Sequence, residues 1–389
     1  MFIYKVYTTY MRNDPDIPYK VPPIDLEQLR AIQLSLAPEL TEANIAIAQI
    51  KGFLRGLPQS SVALMNPLFV KEAVESSEIE NINTTLLEVM QRQVAPDIES
   101  KTGSQLVVNY TTASSWATRN LEKLGLISRL ITGIQHKLIP DGVEGYRRLQ
   151  VVIGDGRGKV HYTPPRANDI PELISDWEKL VNNSSGVDPL LVSAVAHYQF
   201  EAIHPFEDGN GRTGRMLINL QMVHAGLLDV PVVHISQYIN AHKAEYYRLL
   251  RETTSQGKLE DFVRFMLKAF TIQANHSFAL LQRVQGLQHE YKQEIRSKLP
   301  NIYSHELLDA IFSRPVQTPV QLAKDTGLHY VTTSKHLKKL EEAGLLTCTK
   351  KGRHMYYINY RLLELIEKRG HMKPKKSAIV ETKILEEED

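Results

Sequence analysis

The sequence contains a single cysteine, Cys348, among its 389 residues. One cysteine excludes an internal disulfide and a metal cage built of thiolates, and it is typical of a protein from a reducing compartment. No run of apolar residues approaches the roughly 18 that a membrane span needs. Residues 1–7 are too short and too mixed to form the apolar core of a secretory signal. We therefore expect a cytoplasmic protein that makes no contact with a membrane.

The sequence also lacks an excess of charge of either sign, because its net charge is only +2 at pH 7. This balance excludes a protein that binds a polyanion over its whole surface, so any nucleic-acid surface must be local. A content of 42% hydrophobic and 23% charged residues is typical of a soluble globular protein. At on the order of 150 residues per domain, the chain predicts two or three domains.

Patterns typical of β-strands are scarce. Before residue 340 we expect one β element, a hairpin whose strands lie within Gly145–Gly154 and Lys159–Tyr162, with its turn at Asp155–Gly158. Helical periodicity dominates from Asp25 onward and predicts, among others, one helix over 259–273 and another over 274–298. The sequence therefore predicts a mainly α fold.

The C-terminal part predicts a winged helix-turn-helix. Two short helices flank Gly327, and a hairpin follows at 345–358. The second helix, Tyr330–Leu340, would enter the major groove of DNA. The candidate DNA contacts are Lys335, Lys338, Lys339 and, at the tip of the wing, Arg353. A solvated helix face, or a winged helix that binds protein, explains the same pattern.

A polar, glycine-rich segment at residues 204–215 lies between two apolar helical segments. It reads His-Pro-Phe-Glu-Asp-Gly-Asn-Gly-Arg-Thr-Gly-Arg. Glycines next to a helix N-terminus let backbone N–H groups converge on an anion. Arg212 and Arg215 share one helix face and can reach the same polyanion. Asp208 would repel a phosphate unless Mg²⁺ bridged the two. His204, whose ordinary pKa is near 6.5, suits proton abstraction at neutral pH.

This segment resembles the signature of the Fic family, H-x-F-x-[D/E]-G-N-G-R-x-x-R, and all eight specified positions are met. The resemblance extends over roughly residues 60–270. It implies a Fic-type helical bundle with a β-hairpin flap, here followed by the winged helix-turn-helix. The domain boundaries expected are 1–100 for an N-terminal helical region, 101–298 for the catalytic core and 301–368 for the winged helix, with 369–389 as a disordered tail.

The resemblance also implies an activity, the transfer of AMP from ATP to a Tyr, Thr or Ser hydroxyl of a protein, which includes self-modification. By position, His204 would be the base and Asp208 the Mg²⁺ ligand. The nucleotide site would comprise Gly209, Asn210, Gly211, Arg212 and Arg215, with Asn240 and Tyr246 near the adenine. The flap residues Val160, His161 and Tyr162 would bind the target as an added strand.

A second pattern that the family uses for inhibition, [S/T]-x-x-x-E-[G/N], is met by Ser76, Glu80 and Asn81. By this resemblance Glu80 would pair with Arg215 and occupy the space that the γ-phosphate needs. A glutamate that merely ends a helix in solvent is the alternative.

Other functions stay open on the sequence alone. The chain could be a DNA-binding transcriptional regulator whose Fic domain senses a nucleotide, or an enzyme that removes AMP from a modified target. A phosphoryl or phosphocholine group could be transferred instead of AMP. A homodimer is a further expectation that the residues do not test.

Overall fold

The computed structural model describes residues 14–57, 64–95, 102–154 and 159–367. The expected tail at 369–389 and the hairpin turn at Asp155–Gly158 lie outside these ranges.

Among the described residues, four helices form the N-terminal region. They are α1 (Leu26–Ser35), α2 (Ala37–Arg55), α3 (Asn66–Ile79) and α4 (Leu86–Val94). Asp25 begins α1 by accepting a hydrogen bond from the Glu27 amide. Thr85 and Glu88 form a capping box at the start of α4. The turn between α3 and α4 carries Glu80.

The central region holds eight helices of the described chain and a two-stranded antiparallel sheet. They are α5 (Thr102–Leu124), α6 (Ser128–Leu138), β1 (Ile153–Gly154), β2 (Val160–Tyr162), α7 (Ile170–Asn183), α8 (Pro189–Ile203), α9 (Asn210–His224), α10 (Ile235–Ala241), α11 (Lys243–Gln256) and α12 (Leu259–Lys298). Helix α8 is buried over almost its whole length and packs on α7, α9 and α12. Trp177 of α7 donates a hydrogen bond to the carbonyl of Ala196 and packs edge-on against Phe200. A helix that is apolar on all sides lies at the centre of a bundle.

Helix α12 corrects one sequence prediction. We expected two helices that meet at Gln273 and Ala274, but residues 259–298 form one continuous helix of 40 residues. No proline or glycine stands at the predicted junction, so the backbone hydrogen bonds continue through it. The helix packs along α2 and carries the chain from the central region into the C-terminal region.

The C-terminal region is built from α13 (His305–Ser313), β3 (Val316–Gln317), α14 (Pro319–Thr326), α15 (Tyr330–Glu342), β4 (Thr347–Lys351), β5 (His354–Ile358) and α16 (Tyr360–Glu367). Its strands form one antiparallel sheet in the order β3-β5-β4. Strand β3 shows that the flap hairpin is not the only β element before residue 340. Its two residues pair with Tyr357 and Ile358, which lie some 40 positions away, so no local pattern marks them.

The mainly α fold expected from the sequence is confirmed. Within the described residues, no helix combines the length and the apolar character that a membrane crossing requires.

Candidate active site

The loop from His204 to Gly209 joins α8 to α9 through two left-handed residues. His204 ends α8 with φ +49°, and Gly209 precedes α9 with φ +78°. A positive φ is common for glycine but strained for histidine, which marks the loop as held by its surroundings. The Asn210 amide provides part of that hold, because it accepts from the Phe206 N–H at 2.8 Å and donates to the Phe206 carbonyl at 2.9 Å. Asn210 therefore closes the loop with its side chain.

Two buried side chains fasten this loop to its neighbours. Gln135 of α6 donates to the Asp208 carbonyl at 2.8 Å. Arg147, only 2% exposed, donates to the carbonyls of His204 at 2.9 Å, Leu149 at 3.1 Å and Pro165 at 2.5 Å. One guanidinium thus joins the loop to both ends of the segment that carries β1 and β2. Its five donors in a rigid fork suit a task that lysine could not perform.

A cavity of about 550 Å³ opens beside the loop. Its walls come from the α3–α4 turn, α8, the start of α9, α11, the flap strands and the N-terminal segment. The lining residues that bear on function are Pro15, Glu80, His161, Tyr162, Glu201, His204, Gly211, Arg215, Tyr246 and Tyr247. This volume lies within the range of small-molecule sites.

His204 is a neutral imidazole at pH 7. Burial lowers its pKa to about 4, and the positive charge of Arg147 adds to this effect. A neutral ring has a nitrogen free to accept a proton, which is what a general base requires.

Arg212 and Asp208 lie at the start of α9. Arg212 is 2% exposed, and one of its nitrogens lies 3.3 Å from the Asp208 carboxylate, whose side chain is 76% exposed. The Nε and Nη1 atoms of Arg212 are buried without a hydrogen-bond partner in the described structure. Buried donors without acceptors are costly, and here they stand beside the unpaired amides of a helix N-terminus. This arrangement fits an anion with several oxygens.

Arg215, one turn further along α9, is hydrogen-bonded to α3 and to the turn that follows it. It is 1% exposed and donates to the Ser76 hydroxyl at 2.9 Å, to the Ser76 carbonyl at 2.9 Å and to the Glu80 carboxylate at 2.8 Å. Burial acts to raise the pKa of Glu80, but the charge and hydrogen bond of Arg215 outweigh it and the pKa is lowered. Gly211 makes room for this pair, because a Cβ there would lie 2.3 Å from Glu80 Oε1.

The sequence analysis missed Glu201, which lies on α8 one turn before His204 and lines the cavity. Burial raises its pKa to about 7, against the opposing charge of Arg215. Its Oε1 atom is buried without a hydrogen-bond partner and lies against Gly214. A carboxylate within an otherwise apolar helix was the available signal.

Comparison with known families agrees with this geometry. Residues 125–222 match the model of the Fic/DOC family, residues 37–119 match the Fic/DOC family N-terminal model, and residues 287–362 match "Protein adenylyltransferase SoFic-like, C-terminal domain". The chain therefore contains a Fic/DOC domain, preceded by a segment that matches the N-terminal model of the same family.

Relatives and a solved structure extend the likeness. The chain is 32% identical over 170 residues to "Protein adenylyltransferase Fic" of Drosophila virilis, which is 42% of this chain and 31% of that protein. The protein of the same name from Drosophila ananassae matches equally. The matched segment thus spans about a third of these curated relatives. A Fic family protein from Desulfovibrio desulfuricans has the same fold, with a TM-score of 0.52, 23% identity and coverage of 88% of this chain and 97% of that one.

Of the other residues predicted for the Fic site, some line the cavity and some do not. Tyr246 is 1% exposed, lines the cavity and binds His197 at 2.8 Å. Asn240 is absent from the cavity lining and instead donates to Glu75 at 3.4 Å. In β2, His161 and Tyr162 line the cavity and Val160 does not.

The predicted DNA contacts lie far along the chain from this Fic core, on the C-terminal region. Lys335, Lys338 and Lys339 are exposed on α15, and Arg353 is exposed in the turn between β4 and β5. Lys338 lies 3.9 Å from Glu342, so part of its charge is balanced within the helix. Within the described residues, no group of three or more His, Cys, Asp or Glu side chains could hold a metal ion by itself.

Replacing Arg147 with Met should lower the free energy of unfolding by at least about 3 kcal/mol, because three buried carbonyls lose a charged donor. Replacing the exposed neighbour Arg148 with Met is the matched control and should change it by less than about 0.5 kcal/mol. Urea unfolding of both variants measures the difference. Equal stability of the two variants would show that Arg147 does not hold the loop to the flap.

Proposed function

We propose that this chain is a protein adenylyltransferase, which transfers AMP from ATP to a Tyr, Thr or Ser hydroxyl of a protein, including its own. The observation that carries the proposal is a neutral His204 in a cavity that Gly211 and Arg215 of α9 also line, next in the chain to the buried donors of Arg212 that lack an acceptor. The names of the relatives, each a "Protein adenylyltransferase Fic", support it.

The chemical step follows from these positions. The oxygen of the target hydroxyl attacks the α-phosphorus of ATP, and His204 accepts the hydroxyl proton. A new O–P bond forms between the target and AMP, while the bond from the α-phosphorus to the bridging oxygen breaks and pyrophosphate leaves with the electron pair. Arg212 and the first amides of α9 stabilise the negative charge on the phosphates.

A divalent cation fits one position in this scheme. Mg²⁺ prefers one or two carboxylates together with phosphate oxygens, and the exposed carboxylate of Asp208 beside the anion site matches that preference. Bound there, Mg²⁺ would neutralise phosphate charge. Arg212, at 3.3 Å from Asp208, would then orient both the carboxylate and the phosphate.

The flap would present the target. Strand β2 pairs with β1 alone within the described residues, so a segment of the target can add to the sheet. His161 and Tyr162 face the same cavity as His204, which would place an added strand next to the base.

The contact between Glu80 and Arg215 would keep the enzyme at low activity. Arg215 is positioned to bind the γ-phosphate, but its donors already serve Ser76 and Glu80. A carboxylate at that place also repels a phosphate, so productive ATP binding requires Glu80 to move. The alternative function is the removal of AMP from a modified target. In that reaction the Glu80 carboxylate, which lines the cavity, would activate water.

Replacing Glu80 with Gly should raise self-labelling by tagged ATP at least about tenfold, because Arg215 becomes free for the nucleotide. Adding His204→Ala to this variant should abolish the labelling, since the base is lost. The measurement is incorporation of the tag, with an adduct of the mass of AMP identified by mass spectrometry.

Unchanged labelling in the Glu80→Gly variant would remove the inhibitory role. Retained labelling without His204 would show that the base is misassigned. Loss of an AMP-removing activity on replacement of Glu80, with no gain in labelling, would favour the reverse reaction.

DNA binding by the C-terminal region is a second candidate, supported by the exposed cations of α15 and of the β4–β5 turn. The full chain should then retard duplex DNA in a gel, with an effect that weakens steeply as salt increases. Replacing Lys335, Lys338 and Lys339 together with Gln should abolish the shift. A shift that survives this change, or no shift at low salt, would exclude this surface.

A further inference from the structure

The C-terminal region contacts both helices that flank Glu80. Helix α16 packs on α3, which precedes Glu80, and strand β3 packs on α4, which follows it. The regulatory turn is therefore held between two helices that share one neighbour. Nothing in the proposed chemical step uses this contact.

Lys71 makes the most deeply buried of these contacts. It lies on α3, is 7% exposed, and its ammonium donates to the carbonyl of Ile366 in the last turn of α16 at 2.9 Å. A buried ammonium needs an acceptor, and the Ile366 carbonyl supplies one. The charge of Lys71 also opposes the burial effect that raises the pKa of Glu367, the next residue of α16.

A second contact lies one and a half turns earlier on α3. Asn66, the first residue of the helix, donates to the Ser313 hydroxyl at the end of α13 at 2.7 Å. Together these contacts attach the N-terminal half of α3 to the C-terminal region.

The contact that we propose to be inhibitory lies at the C-terminal end of the same helix. Ser76 and Glu80 bind Arg215, and Glu72 forms a short hydrogen bond with Ser236 of α10. Lys71 and Ser76 are separated by less than two turns of one uninterrupted helix. A displacement of α3 at Lys71 therefore shifts Ser76 and the Glu80 turn as well, because a short helix moves as a rigid element.

We infer that Lys71 is a positioning residue through which the C-terminal region holds Glu80 against Arg215. This inference rests on the proposed inhibitory role of Glu80. The C-terminal region then controls access of the nucleotide to Arg215, and a ligand that draws α16 away from α3 raises the activity.

The test compares Lys71→Met with Arg361→Met in the full chain. Arg361 also belongs to α16, but its side chain binds Glu290 and Glu294 of α12. Lys71→Met should raise self-labelling by about fivefold and lower KM for ATP, because the closed position of α3 loses a charged hydrogen bond. Arg361→Met should leave both values unchanged.

The same Lys71 variant is then made in the Glu80→Gly background, where labelling should not rise further because the inhibitory carboxylate is gone. A rise in both backgrounds, or in neither, would overturn the inference. If Glu80→Gly itself raises nothing, the inhibitory role fails instead, so the two failures are distinguishable.

A third variant protects the test against loss of folding. Ser313→Ala removes the Asn66 contact from the C-terminal side at a partly buried position, and thermal unfolding checks that each protein is folded. Ser313→Ala should raise labelling by about twofold in the protein that retains Glu80 and not in the Glu80→Gly background. No change with Ser313→Ala, together with an unfolded Lys71→Met, would also contradict the inference.

Discussion

The buried guanidinium of Arg215 is the constraint on which the rest of the site depends. A charge that is 1% exposed must have partners, because an unpaired buried ion costs several kcal/mol. In this structure Glu80 and Ser76 supply them, and the negative potential of Glu201 adds to theirs. Any anion that is to bind Arg215 must replace Glu80 without leaving the guanidinium unpaired. The γ-phosphate of ATP meets that condition, and we propose that this exchange switches the enzyme on.

Because the groups around Arg215 are held in place, the proposed exchange has two states, with either Glu80 or the γ-phosphate bound to Arg215. The loop that follows α8 is closed by Asn210 and tied to the flap by Arg147. The movable partner is therefore α3, which lies between the anion site and the C-terminal region. Under the proposed mechanism, the activity depends on how firmly α3 is held.

Much of this site is accessible from the sequence because its chemistry is local. The twelve residues from His204 to Arg215 contain the proposed base, the proposed anion site and the candidate Mg²⁺ ligand. The inhibitory pattern also directed attention to Glu80, 135 positions away from Arg215, and the structure has the two side chains 2.8 Å apart. Spacing within one turn of helix predicts the shared face of Arg212 and Arg215, whereas the pairing of Glu80 with Arg215 was implied by the resemblance to the family.

What the sequence could not predict depends on contacts between distant segments. Arg147 contacts carbonyls of three separate segments, and carbonyls have no signature in a side-chain pattern. Strand β3 forms only when it pairs with β5 within the C-terminal region, and the contact of Lys71 with α16 arises only when that region packs on α3.

The most direct test of the exchange at Arg215 is calorimetric binding of ATP and of ADP, each with Mg²⁺, to His204→Ala proteins with and without Glu80. The His204 change prevents turnover during the titration. If Glu80 occupies the place of the γ-phosphate, its removal should strengthen ATP binding by at least about tenfold and ADP binding by much less. An equal gain for both nucleotides, or no gain for either, would contradict the account.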